Sequence, residues 1–352
     1  MSKKSFERMR KQAHERFDEL FNDQGDDTKT LEYGTEQSKY VIFSDWHMGK
    51  GDRSDNFRQN KEVVAEALKK YRSENFSVIL IGDVEEFHQA ELFDIVEEYE
   101  NSVYKELLEF PENRVYRIFG NHNIDWSYKD PLDRNQENFA LEGIKLARII
   151  DGEEKVDIML THGHQAEESY EKDLHTVRFG TTLYRTLEKI LNIKSKSLFD
   201  ESPGKKDRIY NMWAKEKQTI LICGHTHCPI FSSHYIDYNW MREKYIKIRD
   251  KIQQLRDSDD DQRINELEER KEWLAKELEP IERKMRDHPS FSPRDSSKSN
   301  LSKYYFNSGS GIFKDAITNI EIEGDIIRLV YWFNGDNKCE VLWQKNISSI
   351  LE

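Results

Sequence analysis

The chain of 352 residues is long enough for one large domain or two ordinary ones, at about 150 residues per domain. Hydrophobic residues make up 36% and charged residues 34%, a globular composition diluted by some segment that is nearly all surface. With 54 Lys and Arg against 67 Asp and Glu, the formal charge of -13 repels a polyanion and argues against broad binding to duplex nucleic acid.

No run approaches the roughly 18 to 20 apolar residues that a membrane helix needs, and the N-terminal MSKKSFERMRKQAHERFDEL lacks the apolar region of a signal peptide. The expectation is a cytoplasmic protein without a transmembrane segment. Cys223, Cys228 and Cys339 are odd in number and show no repeated spacing, so no disulfide framework is predicted.

In residues 4–22, Phe6, Met9, Ala13, Phe17, Leu20 and Phe21 recur at steps of three and four, which predicts an amphipathic helix packed onto the main body. Short apolar runs follow at Tyr40–Phe43, Val78–Ile81, Val115–Phe119, Val156–Leu160, Ile220–Cys223 and Tyr304–Phe306, each the size of a buried strand. Helix-like stretches at Val63–Tyr71 and Leu92–Phe110 separate the first three runs, as crossovers in an α/β sheet do. Polar residues gather where these runs end: SDWH after the first, GD after the second, GNH after the third, THGH after the fourth and GHTH after the fifth. Open α/β sheets bind ligands at the carboxyl ends of their strands, so these loops are predicted to converge on one place.

The stretch His164–Gly224 carries Leu174, Val177, Phe179, Leu183, Tyr184, Leu187, Ile190 and Leu191 with Arg178, Arg185 and Lys194 interleaved. It reads as ordinary helical packing or as a lid over the strand ends. Further on, Tyr245, Ile248, Ile252 and Leu255, then Ile264, Leu267, Leu274, Leu278, Ile281 and Met285, predict an antiparallel helical hairpin within 238–288. Pro280 is expected to kink or restart its second arm. This is the surface-rich segment that the composition anticipates, read either as a solvated structural arm or as a surface for self-association or a partner. Finally, ITNIEIEGDIIRLVYWF reads as two strands joined at Glu323-Gly324-Asp325 and CEVLWQ as another, an antiparallel sheet that closes the domain.

Asp45, His47, Asp83, Asn121, His162, His225 and His227 are the ligand-type residues at the strand ends. Carboxylate, imidazole and carboxamide are hard-to-borderline donors that hold manganese, iron, zinc or cobalt ions. Seven such groups suit two ions, and a carboxylate can span ions roughly 3.5 to 4 Å apart. Asp83 is the candidate bridge.

Asp45-Trp46-His47, Gly82-Asp83, Gly120-Asn121-His122, Thr161-His162-Gly163-His164 and Gly224-His225-Thr226-His227 occur in this order, and with them the sequence resembles the calcineurin-like metallophosphoesterases from about Tyr40 to Phe313. The resemblance implies an α/β fold of four layers, a β-sandwich flanked by helices. It implies one metal held by Asp45, His47, Asp83 and His227 and a second held by Asp83, Asn121, His162 and His225. It further implies a hydroxide bridging the metals as nucleophile, because bound cations acidify water. His122 would then be the catalytic general acid or a donor to phosphate.

The sequence departs from that pattern in places. The family usually continues GNHD or GNHE, whereas position 123 is Asn, which leaves the carboxylate partner of His122 open. Asp125 is a candidate for that partner, its alternative being a solvated or turn-capping residue. Glu86 stands where the family often has an aspartate, and reads as an acceptor behind a metal ligand or as an exposed carboxylate at a helix start. His164 reads as a phosphate contact, as an orienting neighbour of His162, or as a surface histidine. Arg178 is a candidate phosphate or leaving-group contact, while Arg53 and Asn56 either line the pocket or shape a turn.

The expected organisation is an N-terminal helix (1–30), a metallophosphoesterase domain (31–237 and 289–352) with a lid-like helical insertion (165–219), and a helical hairpin inserted at 238–288. The expected activity is hydrolysis of a small phosphoester, a phosphodiester or phosphomonoester, with two divalent or trivalent metal ions, manganese before iron, zinc or cobalt. Nucleic acid is not an expected partner. The competing readings are a UDP-diacylglucosamine-type pyrophosphohydrolase, a nuclease of the same superfamily, and a non-catalytic scaffold that docks partners through the hairpin. The full set of metal-type residues argues against the scaffold.

Overall fold

A computed structural model describes residues 3–23, 25, 27–124, 141–167, 204–232, 234–235, 238–256, 261–287, 302–314, 316–334 and 338–352. In chain order its helices are α1 (Lys3–Asn22), α2 (Lys61–Ser73), α3 (Leu92–Tyr99), α4 (Val103–Leu108), α5 (Lys205–Lys217), α6 (Tyr238–Leu255), α7 (Asp261–Asp287) and α8 (Ile347–Leu351). Its strands are β1 (Thr28–Glu32), β2 (Lys39–Phe43), β3 (Ser77–Ile81), β4 (Val115–Ile118), β5 (Gly143–Ile150), β6 (Glu153–Thr161), β7 (Ile220–Cys223), β8 (Ile230–Phe231), β9 (His234–Tyr235), β10 (Tyr305–Asn307), β11 (Ala316–Glu323), β12 (Ile326–Phe333) and β13 (Lys338–Asn346).

Two sheets form. One has the order β1-β5-β6-β7-β10-β8-β9 and the other β13-β12-β11-β2-β3-β4. In the second, β2, β3 and β4 run parallel, while β11, β12 and β13 add an antiparallel meander that joins at β2. In the first, β6, β7 and β10 run parallel. The expected turn at Gly324 is present, with a positive φ of 57° that favours glycine.

Strand alternation explains the layering. Ile42, Ile79 and Ile81 face Ile144, Leu146, Ile158, Leu160, Ile220 and Ile222 of the other sheet in one apolar cluster. Their neighbours Val41, Phe43, Val78 and Leu80 point the opposite way, into a cluster with Val64, Leu68 and Tyr71 of α2, Ile95 of α3 and Leu107 of α4. A strand buried on both faces must be apolar at consecutive positions, as these are. On the far side of the other sheet α1 and α5 pack together: Phe17 is fully buried, with ring centroids 6.0 Å from Tyr210 and 5.5 Å from Trp213. The result is a β-sandwich with helices on both outer faces, the α/β class expected.

β1 and β5 were not legible as strands. β5 carries Lys145 and Arg148, and a charged residue on a strand reads as solvent-facing. Lys145 is nevertheless buried, its ammonium donating to the Asp23 carbonyl at 2.6 Å, and Arg148 pairs with the buried Asp157 at 2.5 Å. Of the interval expected to form a lid, residues 168–203, with Arg178 among them, lie outside the described residues. Its last part is α5, whose Ile209, Tyr210, Trp213 and Ala214 belong to the main core.

Helices α6 and α7 pack on each other through Ile248, Ile252, Leu267, Leu274 and Leu278. The same cluster takes in Met241 and, from the sandwich, Phe313, Ala316 and Tyr331. At its rim Glu340 of β13 accepts from Arg270 at 3.0 Å and pairs with Lys244, and Lys338 meets Glu266 at 2.9 Å. Through Phe313, Ala316 and Tyr331 the hairpin is docked along one face of the sandwich. One helix spans Asp261–Asp287, so Pro280 does not restart it; the burial of Leu274 and Leu278 holds that arm in place.

Two substitutions test this packing. Phe17→Ala is expected to cost about 3–5 kcal/mol of unfolding free energy in urea, the range for a buried aromatic; a loss below about 1 kcal/mol would show that α1 is a dispensable appendage. Leu274→Ala is expected to cost about 2–5 kcal/mol in the same measurement, and a loss below about 1 kcal/mol would show that the hairpin is uncoupled from the cooperative core.

Candidate metal centre

Every motif named in the sequence lies just past the carboxyl end of a strand: Asp45 and His47 after β2, Asp83 after β3, Asn121 and His122 after β4, His162 after β6, and His225 and His227 after β7. Because β2, β3 and β4 are parallel in one sheet and β6 and β7 in the other, these loops emerge at neighbouring ends of the sandwich. Backbone bonds tie them together: Asp45 N–H donates to the Gly82 carbonyl at 3.1 Å, His47 N–H to the Asp83 carbonyl at 2.9 Å, and Gly224 N–H to the His162 carbonyl at 3.1 Å.

The backbone is strained where the donors stand. Asp45, His47, Asp83, His225 and His227 all have positive φ, between 49° and 66°. Only a few per cent of non-glycine residues adopt this region, at a cost of order 1–3 kcal/mol each, and such strain concentrates at functional sites. The glycines beside them leave room for the neighbouring loops. A Cβ on Gly82 would meet the His162 ring, one on Gly120 the Asp83 carboxylate, and one on Gly224 the Asp45 carboxylate.

The donor atoms are spaced as ligands are. Two atoms about 2.1 Å from one ion, at 90–110° to each other, stand about 3.0–3.4 Å apart. His227 Nε2 lies 3.2 Å from Asp45 Oδ1 and 3.1 Å from His47 Nε2. His162 Nε2 lies 3.0 Å from Asp83 Oδ2 and 3.3 Å from Asn121 Oδ1. His47 Nε2 is 3.8 Å from Asp45 Oδ1 and 3.9 Å from Asp83 Oδ2. Asp45, His47 and His227 form one group able to hold an ion, and Asp83, His162 and His225 form another. The closer of these spacings match those of donors around one cation, and the oxygen and nitrogen donor set suits one.

Two imidazoles are already oriented for this. His162 Nδ1 donates to the Ile81 carbonyl at 2.9 Å and His47 Nδ1 donates to Glu86 at 2.8 Å, so each presents Nε2 to the cluster. Glu86 also accepts from His122 Nδ1 at 2.8 Å. Burial opposes the charged form of Glu86, but the two imidazoles outweigh it and hold the carboxyl well below its usual range. Burial likewise opposes the imidazolium of His122, yet Glu86 and Asp83 hold its pKa up at about 9. Glu86 is thus buried behind the cluster, not an exposed carboxylate at a helix start, and it is a carboxylate partner of His122. Asp125 lies outside the described residues.

Other residues that sequence reasoning passed over build the frame. Asn123, at the position where the family pattern has an acid, accepts from the N–H groups of Gly120 at 2.7 Å and Asp83 at 3.2 Å. Its amide donates to Glu85 at 3.2 Å, and Glu85 in turn takes a bidentate bond from Arg117, both at 3.0 Å, in the buried interior. Asp207 of α5 accepts from Thr226 Oγ1 and from the Tyr305 hydroxyl, both at 2.8 Å, fixing the residue between His225 and His227. Asp55 shapes the loop after β2 by accepting from the N–H groups of Gly49 at 3.1 Å and Gly51 at 2.9 Å. In that loop Arg53 is exposed and Asn56 half-buried. His164 is buried, its ring 5.5 Å from that of His162 and 5.6 Å from Phe119. That corrects its reading as a surface histidine; the apolar ring of Phe119 and the tight Gly163 turn carry it inward.

No curated protein matches the chain. Among solved structures, Vacuolar Protein Sorting 29 from Cryptosporidium parvum is similar, with 13% identity, a TM-score of 0.35, and coverage of 88% of this chain and 96% of that one. The family model for calcineurin-like phosphoesterases matches residues 38–253. That span takes in more than half of the 352 residues and every strand-end motif described above. The chain therefore belongs to the calcineurin-like phosphoesterase family, whose general chemistry is the metal-dependent hydrolysis of phosphoesters.

Proposed function

We propose that this chain is a binuclear metallohydrolase of small phosphoesters, most directly phosphodiesters or phosphomonoesters. The observation that carries the reading is Asp83 Oδ2, which lies 3.9 Å from His47 Nε2 and 3.0 Å from His162 Nε2 and so stands near a nitrogen from each donor group. Asp45, His47, His227 and Asp83 would hold one cation, and Asp83, Asn121, His162 and His225 the other. The donors are oxygen and nitrogen only, which favours manganese, with iron, zinc and cobalt as alternatives. Bound there, such cations supply an acidified water and neutralise charge on the phosphoryl oxygens.

The chain's own groups do the rest. His122 is outside both proposed ligand sets and partly exposed at the cluster rim. Its Nδ1 is committed to Glu86, which leaves Nε2 for the leaving oxygen. Held as imidazolium by Glu86, it can give a proton to an alkoxide, a contribution of about 10²–10⁴ in rate. Glu86 has a second duty, because the same carboxylate orients His47. The proton donor and one cation are therefore positioned by a single side chain.

Hydrolysis of bis-p-nitrophenyl phosphate and of p-nitrophenyl phosphate, a diester and a monoester, tests the reading. Turnover is expected with Mn²⁺ and is expected to vanish on chelation; turnover that survives chelation, or none with any metal, would favour the scaffold. Asp83→Ala is expected to abolish both metal loading and turnover. His122→Ala is expected to keep its metals and lose about 10²-fold or more in kcat. A metal analysis showing that His122→Ala had emptied a position would make His122 a ligand instead.

A further inference from the structure

Among the described residues, one cation already touches the donor cluster. Lys206, in the first turn of α5, places Nζ 2.6 Å from His225 Nε2. The same ammonium lies 2.7 Å from Glu167 Oε1, and that oxygen is 3.3 Å from the imidazole nitrogen. An ammonium has only donors, so His225 Nε2 is the acceptor, presenting a lone pair of the kind that ligates a metal. Lys206 is also placed against the electrostatics of its helix. The N-terminal turn of a helix carries partial positive charge and disfavours a lysine there, and the Glu167 carboxylate offsets that cost for Lys206.

A metal ion on His225 would stand about 2.0–2.2 Å from Nε2, in space the ammonium now fills. Two positive charges repel strongly at such separations, so the ion displaces Lys206 from the ring. Glu167 keeps the displaced ammonium beside the centre, because rotation about the last bonds of a lysine moves Nζ aside without releasing the carboxylate. The strongest anion then within its reach is the phosphoryl group on the cations. A compact ammonium on a flexible stem suits a group whose charge shifts during reaction.

We propose that Lys206, tethered by Glu167, contacts the phosphoryl oxygens of the substrate on the His225 side of the centre and is freed for this role when metal takes His225. The proposal rests on the metal-dependent reading above.

Calorimetric titration with Mn²⁺, followed by inorganic phosphate, separates the two ideas. The native protein is expected to take up both ligands. Lys206→Met is expected to bind Mn²⁺ at least as tightly, since no ammonium competes for His225, and to bind phosphate roughly tenfold more weakly, as loss of a charge-assisted hydrogen bond predicts. Lys206→Arg, which keeps the charge, is expected to recover most of the phosphate affinity. Phosphate bound by Lys206→Met as tightly as by the native protein would overturn the proposal. So would weaker Mn²⁺ binding, because Lys206 would then be a prop for the imidazole. A native protein that takes up no Mn²⁺ would overturn the metal-dependent reading itself, and this proposal with it.

Discussion

Asp83 is a buried carboxylate surrounded by groups that all depend on its staying ionised and in place. Burial alone would raise its pKa, but His162 and His122 pull it well below the ordinary range. Its backbone is fixed from both sides: Asn123 accepts from its N–H, and its carbonyl accepts from His47. One carboxylate oxygen takes the N–H of His122 at 2.9 Å, leaving the other toward His162. A buried charge is tolerated only when its lone pairs are met in this way. The glycine at 120 follows from the same demand, since nothing larger than hydrogen fits against that carboxylate.

The sandwich exists to bring such groups together from distant parts of the chain. Its two parallel strand sets supply ligand-type residues from both sheets, so the centre straddles the junction between the sheets instead of resting on one. Rigidity comes from beneath. The carboxyl halves of the strands that end at the site are buried on both faces, while the loops above them interlock by backbone bonds. Left-handed conformations at the donors show that packing and hydrogen bonding override local preference there.

Much of this was legible from residue order alone. Strands buried on both faces announce themselves as apolar runs, and carboxylates and imidazoles in the first few positions after such runs stand where α/β sheets bind ligands. Asp45, His47, Asp83, His162, His225 and His227 were accessible by that route. What could not be read is whatever depends on a partner distant in sequence. Asn123 looked like a departure from a pattern, yet it is the clamp on Gly120 and Asp83. Lys206 and Glu167 carry no spacing signal, because they meet only when the turn after β6 and the start of α5 come together. β5 was hidden by lysine and arginine side chains whose charges are satisfied inside. The docked face of the hairpin was hidden by the same periodicity that predicted its helices, since a heptad reports that a stripe is apolar and not what covers it.

Strand β10 lies between β7 and β8 in its sheet although it follows them by some 75 residues in the chain. The segment after it is threaded back under the first motif: Ser310 Oγ donates to the Asp45 carbonyl at 2.8 Å and Gly311 N–H donates to it at 3.0 Å. During synthesis, therefore, the nascent chain exposes all of its ligand-type residues well before the piece that locks Asp45 has left the ribosome. Contacts so remote in sequence form late and slowly. An ion site built on Asp45 would therefore be complete only once the chain through Gly311 is in place.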